Sequence, residues 1–472
     1  MTQTQTSPDQ TAQRRSLRSG AVGFFGTLAG SIGLQGPTGG AAFLPAAMAA
    51  SVALSGPLAF GLGTVAMVFV AYAFVVFSRR FASSGSVYAF NGTALGPKFG
   101  FVSVVILFGA YVSTAGWVAI IAADFVQGAL STAGWQVSWV PIAVVLIVVI
   151  FALSYRSLHI SSHAILVFEL VSVALLLVVA GFVIAKGGAG GHGLHASYFT
   201  PRGQSWTTIG LGVVFAFTSV SGFEGAAYLG EETKHATRNI PLAIWTSLLA
   251  AGVIYTFFSW VESAAYGSAS ALSSTSLPMV DIANAFIGGK TGIIVDIAAA
   301  VSSFGCALSA LNGSGRLLFS VSRDGIGPAA LSRTHRRHNT PVAALALVAV
   351  IAVVMVLVES GADPLTAVYD LSTYTADTFI LVYLLTVIAA LVWSLRTRRN
   401  RREPVILAIG VLVMAFVLKD TIYPFPAAPY SYALEAALAT VLLGTVLLAL
   451  PGLRRKLASA QLFKVTDDIG GN

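Results

Sequence analysis

Gly30-Ser31-Ile32-Gly33-Leu34-Gln35-Gly36-Pro37-Thr38-Gly39-Gly40 and Phe217-Thr218-Ser219-Val220-Ser221-Gly222-Phe223-Glu224-Gly225 each interrupt a long apolar run. Relative to Ala, Gly costs a helix about 1 kcal/mol and Pro about 3 kcal/mol, so the first stretch should break its helix. In the second, hydroxyls, glycines and a carboxylate interrupt the apolar pattern. Unwound backbone at membrane depth persists only where it lines a cavity or is buried in protein. Interrupted helices at corresponding positions of two halves point to a transporter binding site. The plainer alternative is a pair of Gly-rich packing kinks.

The flanking sequence supplies the membrane. Of 472 residues, 56% are hydrophobic and 10% charged, and mean hydropathy is +0.82. Soluble domains carry about 25% charged residues, so this composition describes an integral membrane protein. About twelve apolar stretches are long enough to cross a bilayer, near 21–52, 55–78, 99–129, 137–154, 160–185, 207–230, 241–265, 291–321, 341–358, 364–394, 404–419 and 431–451. They are continuously apolar and lack the alternation of a β-barrel. If the N-terminus is cytoplasmic, Lys186, Arg202, Lys290 and Lys419 are the only outer-side basic residues among 27 Lys and Arg. The positive-inside rule then puts both termini in the cytoplasm.

The interrupted spans are the first and the sixth, each opening a set of five. The expected fold is therefore all-α, with 12 transmembrane helices in a 5+5 inverted repeat, helices 1 and 6 discontinuous, and two C-terminal helices. The divisions are a cytoplasmic tail (1–19), a first five-helix repeat (20–186), an extracellular loop (187–206), a second repeat (207–394), helices 11 and 12 (395–452) and a cytoplasmic tail (453–472).

Several function classes fall away. The single cysteine, Cys306, excludes an intramolecular disulfide framework and a Cys-based zinc cluster. His192 and His195 read as solvated loop residues, so no metal site is expected. The basic residues are scattered between apolar runs, which argues against nucleic acid despite a net charge of +8. Gly187-Gly188-Ala189-Gly190-Gly191 lacks the strand and helix of a phosphate loop, and no Walker motif supports ATP-driven transport. No enzymatic activity and no cofactor are expected.

Four segments together resemble the amino acid–polyamine–organocation permeases, whose LeuT-type fold the repeat reading matches. Phe215-Ala216-Phe217, Gly222-Phe223-Glu224 and Glu231-Glu232-Thr233-Lys234…Arg238-Asn239-Ile240-Pro241 resemble that family's sixth helix and following loop. Phe81-Ala82-Ser83-Ser84-Gly85-Ser86-Val87-Tyr88 with Leu95-Gly96-Pro97 resembles the loop before helix three. Ser314-Gly315-Arg316…Ser322-Arg323-Asp324-Gly325 resembles the end of helix eight, and the broken helix one is the fourth segment. Two departures stand out. His235-Ala236-Thr237 replaces the commoner Asn-Pro, and Gln35-Gly36-Pro37-Thr38-Gly39 replaces the commoner Gly-x-Gly-Ile-Phe.

The chemistry of the breaks follows from helix termini. A half-helix N-terminus presents unpaired N–H groups and about half a positive charge, which suits a carboxylate. The opposite half ends in carbonyls, which suit an ammonium or a cation. The candidate substrate-binding residues are Ser31, Ile32, Gly33, Gln35, Gly36, Pro37, Thr38, Gly39, Phe217, Thr218, Ser219, Ser221, Gly222, Phe223 and Glu224, with Tyr111 added from the third span. Glu169 lies mid-span in helix five, where burying a carboxylate costs several kcal/mol unless it is paired, protonated or functional. The family resemblance adds that proton-coupled members often place Lys there. Glu169 is thus the proton-coupling candidate, with a structural strut as the alternative; Asp377 in the tenth span is a weaker gate or packing candidate.

The expected function is a secondary active transporter in the cell (plasma or inner) membrane, importing a small amino acid or related amine by alternating access. H+ is the expected coupling ion. Na+ is second choice, its case resting on Ser302, Ser303 and Ser309. The alternatives are an amino acid or amine exchanger, and a cation channel on the same scaffold. The expected partners are a small-molecule substrate and the lipid bilayer; the oligomeric state is left open.

Overall fold

A computed structural model describes residues 17, 19–156, 158–398 and 400–459. The remainder of the two expected tails, together with Arg14, Arg15, Arg18, Arg399 and Lys464, lies outside the described residues. Among the described residues, eleven helical stretches are long and apolar enough to cross a membrane, and no β-strand occurs.

In chain order the helices are α1 (Phe24–Gln35), α2 (Pro37–Ala41), α3 (Leu44–Val52), α4 (Gly56–Ser78), α5 (Val87–Leu95) and α6 (Pro97–Thr132). Next come α7 (Trp139–Arg156), α8 (Leu158–Ala185), α9 (Trp206–Ser219), α10 (Ala236–Tyr266), α11 (Ala269–Ser273) and α12 (Pro278–Phe286). The last six are α13 (Gly292–Arg323), α14 (Val342–Val358), α15 (Pro364–Thr397), α16 (Glu403–Ile422), α17 (Tyr430–Leu447) and α18 (Pro451–Ser459). The expected first span, 21–52, is therefore not one helix. It is divided among α1, α2 and α3, each too short to cross alone, and α3 runs on through a 3-10 turn into α4 as a single apolar stretch, Leu44–Ser78.

The division has a local cause. Gly36 adopts φ 50°, ψ 51°, and its N–H donates back to the Ile32 and Gly33 carbonyls. That is a left-handed glycine C-cap. Pro37 then opens α2, its fixed φ and missing N–H being tolerated at a helix start. The sixth span breaks likewise. α9 stops at Ser219, Gly222 takes φ 100°, and Phe223–Leu229 continues as 3-10 helix.

Burial divides the bundle into centre and rim. The most apolar window of α6 is 78% buried within the protein and that of α13 is 72% buried, against 22% for α16. α6 and α13 pack along each other at the centre, while α7, α14, α16 and α17 turn apolar side chains such as Val145, Val350, Leu412 and Leu442 outward. Without a hydrophobic driving force between helices in lipid, close packing must hold them, and small residues permit it. Gly225 is a case in point: a Cβ there would lie 2.3 Å from the Gly30 carbonyl oxygen, so the two broken spans meet backbone to backbone.

One end of the bundle is Arg-rich and tied shut. Arg316 pairs with Glu232 (Nε to Oε2 2.6 Å) with both side chains buried. Arg323 grips Glu231 through two 2.6 Å bonds, and Arg80 pairs with Glu403 at 3.1 Å. The Tyr88 hydroxyl donates to Asp324 (2.8 Å). Val22, just before α1, bonds to the chain at Glu232 and Lys234 (3.0 and 2.8 Å). The charged motifs after the sixth span and at the end of the eighth thus meet in one closure.

Candidate functional site

Between the two breaks lies a cavity of about 810 Å³. Its wall runs from Gln35, Gly36 and Ser221 at the breaks to Ser273–Ser276, Leu365, Thr421 and Tyr430 at the end opposite the Arg-rich closure. Of the expected substrate residues, Gln35, Gly36, Thr218, Ser219 and Ser221 line it. Ser31, Ile32, Gly33, Pro37, Thr38, Gly39, Tyr111, Phe217, Gly222, Phe223 and Glu224 stand behind the wall.

Those hidden residues build the break. The Ser31 hydroxyl donates to the Phe223 carbonyl and accepts the Ala226 N–H (2.8 Å), which joins α1 to the segment beyond the sixth-span break. Gln35 donates through Nε2 to the Val220 carbonyl (2.9 Å). Ser309 on α13 donates to the Gly30 carbonyl (2.8 Å) and lies 2.9 Å from the Tyr228 hydroxyl. Cys306, also on α13, bonds the Leu34 carbonyl at 3.1 Å.

Glu224 is completely enclosed. The Tyr111 hydroxyl donates to Oε1 at 2.9 Å, and the Tyr383 hydroxyl donates to Oε2. Tyr383 in turn accepts the Gly222 N–H (3.0 Å). A buried carboxylate needs such partners, since an unpaired one forfeits its hydration. Glu224 therefore ties the sixth-span break to α6 and α15.

Glu169, on α8, does the equivalent for the first break. Its Oε1 accepts both the N–H (2.9 Å) and the hydroxyl (2.5 Å) of Thr38, and its Oε2 accepts the Ser302 hydroxyl (2.7 Å). Ser302 also accepts the Gly39 N–H (3.0 Å). The terminus that polarity reserves for an anion is thus already met by one of the chain's own carboxyl groups. Three donors converge on two oxygens, an arrangement that satisfies an ionised carboxylate.

Tyr255 and Tyr369 also line the cavity, and Tyr383 holds Glu224; sequence reasoning gave no signal for these three, since a tyrosine within an apolar run reads as packing. Asp377 does line the cavity. Ser303 lines it as well, whereas Ser302 and Ser309 are engaged as described. Among the described residues no group of three or more His, Cys, Asp or Glu side chains could hold a metal ion.

An all-helical membrane bundle with two glycine breaks around a central cavity defines a permease-like architecture. The chain belongs to the amino acid permease family, whose model matches residues 22–448. It is 25% identical over 315 residues to a branched-chain amino acid permease of Bacillus subtilis, covering 61% of this chain and 64% of that relative's length. It is also 25% identical to a low-affinity putrescine importer of Escherichia coli, over 69% of this chain and 71% of the relative. An uncharacterized transporter of Mycobacterium tuberculosis is 27% identical over 87% of both chains.

Proposed function

We propose that the protein is a secondary active transporter that imports an amino acid or related amine by alternating access, driven by protons. The carrying observation is the cavity between the two breaks, open toward one end and tied shut at the other. A transporter needs a site that reaches one side at a time, whereas a channel needs a continuous path. The sealed Arg-rich end favours the transporter, and the positive-inside rule makes that end cytoplasmic. On this reading α1 to α3 together form the first of twelve crossings, the cavity faces outward, and the broken spans head two inverted repeats of five helices. The named cargoes of the relatives, branched-chain amino acids and putrescine, bracket the expected substrate class.

Glu169 is the proposed proton carrier. Ionised, it accepts the three donors described above. Protonated, it gives up part of that acceptor capacity and must itself find an acceptor, which loosens its hold on α2 and α13. Proton binding thereby acts on two elements of the cavity wall. Saturable uptake of radiolabelled leucine or putrescine into proteoliposomes, enhanced by an acidic exterior, is the expected result. Unsaturated ionic current without accumulation would instead establish a channel.

A further inference from the structure

We propose that the cargo is an alkylammonium cation without a carboxylate, and that Asp377 pairs with its ammonium group. This rests on the import reading and narrows it. Asp377, on α15, is the only charged side chain among the described residues that line the cavity. It is 6% exposed and has no hydrogen-bond or ion-pair partner among the described residues. Its carboxylate faces the cavity, and an occupant that displaces the water there imposes a cost unless it brings a counter-charge. The wall offers none, so the cavity's occupant must.

A second, independent feature points the same way. The Gln35 side chain lines the cavity at the first break, with Nε2 committed to the Val220 carbonyl. Its Oε1 is buried and accepts nothing. A donor on an occupant that reaches this oxygen would complete it, and an ammonium is one such donor. Trp117, Phe215, Tyr369 and Phe379 also line the cavity, and aromatic faces attract cations.

A carboxylate has no comparable place. The N–H groups of Gly36, Thr38, Gly39, Gly40, Ser221 and Gly222 are all engaged within the protein. Glu169 occupies the start of α2, and among the described residues no Lys, Arg or His lines the cavity. A carboxylate there would meet hydroxyls and the unpartnered indole N–H of Trp117, all neutral, in the same cavity as the Asp377 charge.

The test compares four ligands on purified full-length protein by calorimetry: putrescine, butylamine, 4-aminobutyrate and leucine. Putrescine and 4-aminobutyrate share one ammonium and a similar chain, and differ in carrying a second ammonium or a carboxylate. The two amines should bind, and the two carboxylates should bind on the order of 30-fold more weakly or not at all. Asp377→Asn should weaken amine binding on the order of 30-fold, as expected when one member of a buried charge pair is removed, while Asp377→Glu restores most of it. If the Asn variant does not fold, the ligand comparison on wild-type protein still decides. Amine binding unchanged in a folded Asn variant overturns the assignment of Asp377. Tighter binding of leucine or 4-aminobutyrate than of the amines overturns the cargo class, and leucine uptake by vesicles would then leave the import reading standing. Failure of all four to bind or to be taken up overturns both.

Discussion

Glu169 holds Thr38 twice, through the backbone N–H at 2.9 Å and the hydroxyl at 2.5 Å, and so caps the short helix beyond the first break from a different transmembrane segment. Hydrogen bonds to charged groups contribute about 1.5–3 kcal/mol each. Thr38→Val, which keeps the shape and the N–H but removes the hydroxyl, should destabilise the protein by about that amount. Thr38→Ser should be nearly neutral. Unfolding in detergent, followed by circular dichroism, measures both, and an unaltered Val variant would mean that the hydroxyl contact contributes nothing.

Gly225 allows the two broken spans to touch. A Cβ at this position would fall 2.3 Å from the Gly30 carbonyl oxygen and 3.2 Å from the Ser31 Cα. Backbone cannot yield as a flexible side chain can, so Gly225→Ala should cost at least the ~1–3 kcal/mol typical of overpacking. Gly61, on α4, has nothing within 4 Å of its would-be Cβ. Gly61→Ala should be neutral or stabilising by up to about 1 kcal/mol. Melting temperatures of the two variants side by side check the contrast, and equal shifts would contradict it.

The two acids of Glu231-Glu232 are neighbours in sequence and unequal in environment. Glu232 and Arg316 are both buried, with 4% and 1% of their side chains exposed, whereas Glu231 and Arg323 keep about a quarter of theirs in contact with solvent. Removing one partner of a buried pair costs about 3–5 kcal/mol, because the other charge is stranded. A fully exposed pair is worth about 0–1 kcal/mol, and the partly exposed Glu231–Arg323 pair, whose charges keep some solvent, falls between the two cases. Glu232→Gln should therefore be far more damaging than Glu231→Gln, measured as the fraction of folded, monodisperse protein recovered after extraction. The reverse order would show that the Arg323 pair, with its two 2.6 Å bonds, is the principal tie of the closure.

How much of this was legible beforehand depends on what each residue's type reveals. The breaks at Gly36 and Gly222 were, because Gly and Pro inside an apolar run have few uses other than an interruption. Glu169 stood out because a carboxylate at membrane depth requires a reason. What Glu169 touches was not legible. Its bonds to Thr38 and Ser302 join residues 131 and 133 positions apart, and no local periodicity encodes such a distance. The same holds for Tyr383, which holds Glu224 from 159 positions away. Helix polarity alone pointed to the start of α2 as a seat for a substrate's carboxylate; the fold fills that seat with the protein's own acid and leaves Asp377 facing the cavity.

Proton-driven accumulation in proteoliposomes, comparing wild type with Glu169→Gln, tests the central claim most directly. The Gln side chain nearly preserves the shape and can still accept from Thr38, but it cannot ionise. With radiolabelled putrescine or leucine outside and an acidic exterior as the only gradient, the wild type should concentrate its substrate above equilibrium. The Gln variant should bring it only to equilibrium, while still exchanging label against preloaded unlabelled substrate. A Gln variant that concentrates substrate as well as the wild type does would contradict the account, leaving Glu169 as a strut between α2, α8 and α13.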